Sequence, residues 1–249
     1  MTEPIIFYDI PSSLAINAWS PNTWKIRYCL LYKGLPHKTE WIEYPDIESF
    51  CKKIGVPPTG KKHDGRDHYT LPAIYDPNTK KAVVDSIEIA KYLDATYPDT
   101  PLLFPPGTAA FQAAFLSLFE PEVLFPTLMV VLARTAEMLN PPSRAYFRKT
   151  RETVLGKLED KNSPESWDKL EKGLGQIKTF IEANGEGKEL LFSGEKDKFT
   201  YSDFQVAASL VWARIAAGED SEDWKKIAGF HGGFPGKFLA QFEKFYVVN

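Results

Sequence analysis

Tyr69-Thr70-Leu71-Pro72-Ala73-Ile74-Tyr75 is the stretch whose reading decides the fold, and Asp85-Ser86-Ile87-Glu88-Ile89-Ala90 follows ten residues after it. An aromatic and β-branched run reads as a strand, but Pro72 cannot donate to a ladder. A proline there calls for a special bend, and a cis peptide is the usual one. The bend would turn the backbone N–H and C=O of Leu71 outward, where an extended ligand can pair with them. Asp76-Pro77-Asn78 then makes a turn, and Ala82-Val83-Val84 a second short strand. Asp85 and Ser86 open an amphipathic helix, whose unpaired N–H groups favour a carboxylate. A peptide-like ligand with an amino-acid head group suits both features. The plainer alternative for Asp85-Ser86 is a helix cap.

Working outward, Ile5-Ile6-Phe7-Tyr8 reads as a short buried strand. Ser20-Pro21 starts a helix running to about Tyr32-Lys33, and Gly34 supplies the left-handed stop. Thr39 to Tyr44 is rich in strand formers, whereas residues 45–68 are polar and irregular. A helix should span Ser86 to Tyr97. Strands alternating with helices imply an α/β unit with a mixed sheet. Pro98 to Gly107 holds four prolines and reads as a linker. Beyond it the pattern is helical: Ala109–Phe119, Pro121–Asn140, Ser143–Lys161, Ser163–Gly185 and Thr200–Ala217, then one or two shorter helices around Gly229 to Gly236. Thr200-Tyr201-Ser202-Asp203 fits a capping box, with Phe199 and Phe204 as its hydrophobic staple.

With 249 residues the chain holds one large domain or two modest ones. A net charge of -3 gives no reason to expect nucleic acid, and four scattered histidines suggest no metal site. Cys29 and Cys51 make no disulfide framework, so both are expected free in a reducing compartment. No signal peptide is evident at the start. The apolar stretch Val123–Ala133 contains Pro126 and is too short to cross a bilayer. The expected setting is the cytoplasm, without a membrane.

Four segments together resemble the glutathione transferases. Leu71-Pro72-Ala73-Ile74 and Val84 to Leu93 are similar to the family's glutathione-binding half. Ser20 to Arg27, followed by Lys33-Gly34-Leu35, resembles the first helix and its exit. Phe199 to Phe204 resembles the capping segment of the central C-terminal helix. The resemblance implies a thioredoxin-like α/β domain over residues 1–97, a linker over 98–107, and an all-helical domain over 108–249 that contributes the hydrophobic substrate site. It also implies a homodimer. The long loop before Ser20 and the 45–68 segment resemble the fungal-specific, serine-type class related to the bacterial β-etherases.

Glutathione's thiol is mostly protonated at neutral pH, since thiols titrate near ~8.5. A positive helix end stabilises the thiolate, and a hydroxyl donor adds a charge-assisted hydrogen bond. The resemblance makes Ser20 the activator, with Asn22 assisting, while Tyr8 is the competitor and a bare N-cap is the plain reading of Ser20. Cysteine-type members carry a cysteine in this turn. Its absence here points to conjugation, peroxide reduction or ether cleavage, and Cys29 is expected in the core.

By the same resemblance, Leu71 pairs with the cysteinyl unit under the geometry that Pro72 enforces, and Asp85 and Ser86 hold the γ-glutamyl head. Lys38 is a candidate for the glycine carboxylate, beside Lys61, Lys62, Arg66 and His68. Trp19, Trp24, Phe115, Phe119 and Phe125 are expected around a flat aromatic electrophile, although such a stripe equally serves as core. The rival function is a ligandin-type carrier of polyphenols such as flavonoids, with little turnover.

Overall fold

The buried run Ile5–Asp9 forms β1 at the centre of a four-stranded sheet in a computed structural model that describes residues 3–249. Helix α1 (Pro21–Tyr32) leads to β2 (His37–Trp41), which pairs parallel to β1. After the hairpin β5 (Ala73–Asp76) and β6 (Lys81–Val84) comes α3 (Ser86–Thr96). β5 pairs antiparallel with both β1 and β6, giving the order β2-β1-β5-β6. This is the expected mixed sheet, and the Leu71-Pro72 peptide is cis.

The segment read as irregular holds more structure than expected. A short helical turn at Tyr44–Asp46 runs into α2 (Ile47–Lys53), and a small hairpin pairs β3 (Gly60–Lys61) with β4 (Asp67–His68). Only Ile47 and Cys51 of α2 are buried, an i, i+4 pair too sparse to make a readable stripe. The neighbouring strand β2 starts and stops earlier than the sequence pattern indicated.

The second half is helical: α4 (Ala109–Phe119), α5 (Phe125–Glu137), α6 (Pro141–Leu155), α7 (Pro164–Glu182), α8 (Tyr201–Ala217) and α9 (Glu222–Ala240). A single wide π turn, Glu120–Leu124, joins α4 to α5. Pro121 and Pro126 lack N–H groups, which leaves the hydrogen-bond ladder open for the wider turn. The continuous run Ala109–Glu137 is thus long and apolar enough to cross a membrane, unlike Val123–Ala133 alone. Half of its most apolar window is buried inside the fold, as in the core helix of a globular protein. Backbone angles leave the helical region in α9 from Phe230 to Gly233, which splits it in two where one or two shorter helices were expected.

Helix α8 is buried from Tyr201 to Arg214 and is the spine of the core. The Asp203 carboxylate accepts from the Thr200 N–H at 2.8 Å and from the Leu191 N–H at 2.9 Å. It ties the expected capping box to the preceding loop. The two halves meet where α1 packs on α8: Tyr28 stacks on Phe204, with ring centroids 5.9 Å apart. Cys29 and Cys51 are both free and buried, and burial pushes the Cys29 thiol well above its ordinary range.

Candidate functional site

Pro21 takes the first position of α1 and leaves Ser20 as the N-cap in extended backbone geometry. The Ser20 carbonyl accepts from the Trp24 N–H at 2.9 Å, but its hydroxyl caps nothing. Ser20 is therefore not the ordinary side-chain cap, although it is only 3% exposed. Its hydroxyl is free to donate elsewhere. Pro21 has no N–H, so the helix offers its first free donor at Asn22.

Two cavities converge on this helix start. The more polar one, about 220 Å³, is lined by Ser20, Asn22, Leu71, Lys62, His68 and Glu48 among others. The more apolar one, about 320 Å³, is lined by Trp19, Leu124, Phe125, Leu128, Phe147 and Trp212 beside the same helix start. Ser20, Asn22, Tyr44 and Arg151 line both. An anion bound at the N-terminus of α1 would sit where a polar ligand and an apolar one meet.

The sheet register brings further expected residues alongside. Ala73 pairs with Val84, so Leu71-Pro72 and Asp85-Ser86 leave the sheet at one end. Asp85 has φ 75°, a left-handed backbone that a non-glycine residue rarely adopts. Its carboxylate accepts from the Ile87 N–H at 2.9 Å, so Asp85 is the cap of α3. Neither Asp85 nor Ser86 lines either cavity.

Other expected residues lie elsewhere. Lys38 is exposed on the edge strand β2 and lines neither cavity, whereas Lys62 and His68 line the polar one. Lys62 also pairs with Glu48 at 3.2 Å. Burial, then the charges of Arg151 and Lys62, lowers the pKa of His68 and favours its neutral form. Tyr8 is buried against Phe50, outside both cavities, and burial pushes its hydroxyl up to about 12. Trp24 has no exposure and stacks on Tyr246 at 5.2 Å. Phe115 and Phe119 stack on each other in the core, with Phe180 and Phe192 edge-on to Phe115. These three aromatics fill the interior because a helical stripe meets the core before it meets a ligand.

Four neighbours of the helix start escaped the sequence reading. Tyr44, Tyr146 and Arg151 come together only in three dimensions: Tyr44 stacks on Tyr146 at 5.8 Å, and the Arg151 guanidinium lies 4.5 Å from the Phe147 ring centroid. The fourth, Lys25, is fully buried in α1, and burial lowers its ammonium to about 8 against the pull of Asp85 and then Glu120.

Residues 19–96 match the model of the glutathione S-transferase N-terminal domain, and residues 110–246 that of the C-terminal domain. A glutathione S-transferase-like protein of Aspergillus flavus, ustS, is 34% identical over 93% of this chain and 87% of its own length. The crystal structure of glutathione transferase GSTFuA3 from Phanerochaete chrysosporium superposes with a TM-score of 0.96 at 55% identity, covering 100% of both chains. A glutathione S-transferase of Ceriporiopsis subvermispora, solved in complex with glutathione, gives 0.93 at 44% identity over 99% of both chains. With both halves matched in order and across this breadth of relatives, the chain belongs to the glutathione transferase family and is a glutathione transferase.

Proposed function

We propose that the chain binds glutathione in the polar cavity, with its sulfur at Ser20, and transfers it to hydrophobic aromatic electrophiles in the apolar cavity. One observation carries this reading: Ser20, whose hydroxyl caps nothing, lines both cavities at the N-terminus of α1. The hydroxyl and the Asn22 N–H stabilise the thiolate together with the helix dipole. Leu71 pairs with the cysteinyl backbone, and Ser86 at the start of α3 takes the γ-glutamyl carboxylate. Lys62 and His68, rather than Lys38, serve the glycine carboxylate. Peroxide reduction and aryl-ether cleavage use the same thiolate and remain within this proposal.

The setting proposed is the cytoplasm, with residues 1–97, 98–107 and 108–249 as the two domains and their linker. A homodimer fits the exposed apolar face of α4, where Phe111 is 69% and Leu118 is 48% exposed. Sedimentation of the wild type beside F111E tests that assembly.

A second reading, a polyphenol carrier, is favoured by the walls of the apolar cavity, where Trp19, Trp212, Phe125 and Phe147 offer flat surfaces. Calorimetric titration with reduced glutathione, for wild type and S86A, separates the two. Micromolar to low-millimolar binding that weakens in the variant supports the transferase reading. Polyphenol binding with no glutathione binding supports the carrier.

A further inference from the structure

Arg151 is the only cation lining both cavities among the described residues; Lys62 and His68 line the polar one alone. It extends from α6 over the Tyr44 ring at 5.4 Å and over the Phe147 ring at 4.5 Å. One guanidinium nitrogen donates to the Thr150 hydroxyl at 2.9 Å. No carboxylate lies within ion-pair distance of it among the described residues, although Glu120 lines the same apolar cavity and Glu48 the polar one. Glu48 is already paired with Lys52 and Lys62. A half-buried guanidinium, placed over two aromatic rings and short of a counter-charge, is preorganised for an anion that forms during reaction. A cation that served only glutathione would need no place on the wall of the apolar cavity.

We infer that Arg151 is a catalytic residue acting on the second substrate: its guanidinium stabilises negative charge that forms on a substrate oxygen as the glutathione sulfur adds. The substrate class that uses this fully is the conjugated carbonyl. The thiolate forms a C–S bond at the β-carbon, and the C=C π pair moves to give an enolate oxygen facing Arg151. Water then protonates the α-carbon. The thiol proton has already left to solvent, so thiol and carbonyl compound yield the thioether with no further reactant. Such a substrate enters the apolar cavity neutral and becomes charged only on addition, so the interaction raises kcat rather than affinity. A departing halide carries its charge away and gains less.

The inference rests on the glutathione reading above. Its test compares wild type, R151Q and R151K with saturating glutathione on an α,β-unsaturated ketone and on a primary alkyl iodide. The ionisation of bound thiol is followed by ultraviolet absorbance against pH. R151Q should lower kcat for the ketone about 10- to 100-fold, somewhat less than a fully enclosed oxyanion donor would. It should lower kcat for the ketone far more than kcat for the iodide and leave the thiol's apparent pKa nearly unchanged. R151K should recover part of the loss, since it keeps the charge without the planar fork. Equal losses on both electrophiles would overturn the inference. So would a rise in the thiol's pKa that accounts for the rate, or a loss confined to the KM for glutathione. A wild type that uses the iodide but not the ketone overturns it and leaves the thiol reading standing. A wild type that binds no glutathione overturns both.

Discussion

Arg27 donates to the Asp9 carboxylate at 2.8 Å, and neither side chain has any solvent exposure. The pair fastens the middle of α1 to the last residue of β1. Arg27 also donates to Thr39 on β2 at 3.1 Å, and the Phe7, Trp24 and Trp41 rings surround its guanidinium. The position of Ser20, one turn before Trp24, therefore depends on a charge pair deep in the core. Burial pushes the Asp9 carboxyl up, and Arg27 opposes it. Arg27→Met should destabilise the fold by about 3–5 kcal/mol, because it strands a buried carboxylate. Asp9→Asn combined with Arg27→Met should regain much of that loss. The Arg27→Met deficit should shrink towards acid pH. Folded Asp9 would then keep a proton that the unfolded chain loses above about pH 4, so stability falls as pH rises through that window. Urea denaturation of the wild type and the two variants at pH 5 and pH 7 checks both expectations.

Ser20→Ala removes one hydroxyl donor and leaves the helix end in place. A charge-assisted hydrogen bond contributes about 1.5–3 kcal/mol, so kcat at neutral pH should fall roughly 10- to 100-fold. The thiol's apparent pKa should rise, with glutathione affinity nearly unchanged. Because the Ser20 hydroxyl does not cap α1, Tm should barely move. A pH–rate profile beside a thermal melt makes the measurement. An unchanged profile would remove Ser20 from the mechanism and leave Asn22 and the helix dipole as the activators.

The fold was legible wherever one local rule dominated. Pro72 inside a strand pattern, Ser20-Pro21 before a helix and the Thr200–Asp203 box each carry their own stereochemistry, and each appears where expected. Helix α2 was not legible, because seven residues with two buried positions make too weak a period. The site was legible on one side only. Ser20, Asn22 and Leu71 belong to backbone features that a sequence displays. Arg151, Tyr146 and Tyr44 reach the cavities through the packing of α6 against the turn at Tyr44–Asp46, which no spacing encodes. Phe115 and Phe119 illustrate the converse: an aromatic stripe marks burial without saying whether core or ligand covers it.

Lys25 gives the fold a pH dependence of unusual sign for the alkaline range. Burial lowers its ammonium to about 8, whereas an unfolded lysine titrates near 10.4. Between those values the unfolded chain binds the proton and the folded chain does not, so stability rises with pH. By this linkage the buried charge, net of the attraction of Asp85 and Glu120, costs roughly 1–3 kcal/mol at pH 7. Raising the pH from 7 to 9.5 should therefore raise the midpoint of urea denaturation. Lys25→Met should be more stable than wild type at pH 7 and flat over the same range. Above pH 10 the sign should reverse, since burial raises the Tyr8, Tyr28 and Tyr201 hydroxyls and folding then opposes their ionisation. A wild type whose stability falls steadily from pH 7 to 9.5 would show that Asp85 and Glu120 hold Lys25 charged.

Gly173 on α7 lies against the wide turn that shapes the apolar cavity. A Cβ at this position would stand 1.9 Å from the Glu122 carbonyl oxygen and 2.8 Å from its carbon. Both are backbone atoms, so no rotamer change relieves the contact, and α7 and the turn must move apart. Overpacking of this kind costs about 1–3 kcal/mol, more where backbone has to shift. Gly173→Ala should therefore lower Tm despite alanine's better helix propensity. The displaced turn carries Glu120 and Leu124, which line the apolar cavity, whereas the polar cavity draws no residue from it. The KM for an electrophile should rise while the KM for glutathione holds. Gly229→Ala is the matched control, because its Cβ would meet nothing within 4 Å and its backbone lies outside the left-handed region. That variant should be stabilised by a few tenths to about 1 kcal/mol, through the unfolded chain. Thermal melts and steady-state kinetics of the two variants, run side by side, separate the clash from the general effect of adding a methyl group to a helix.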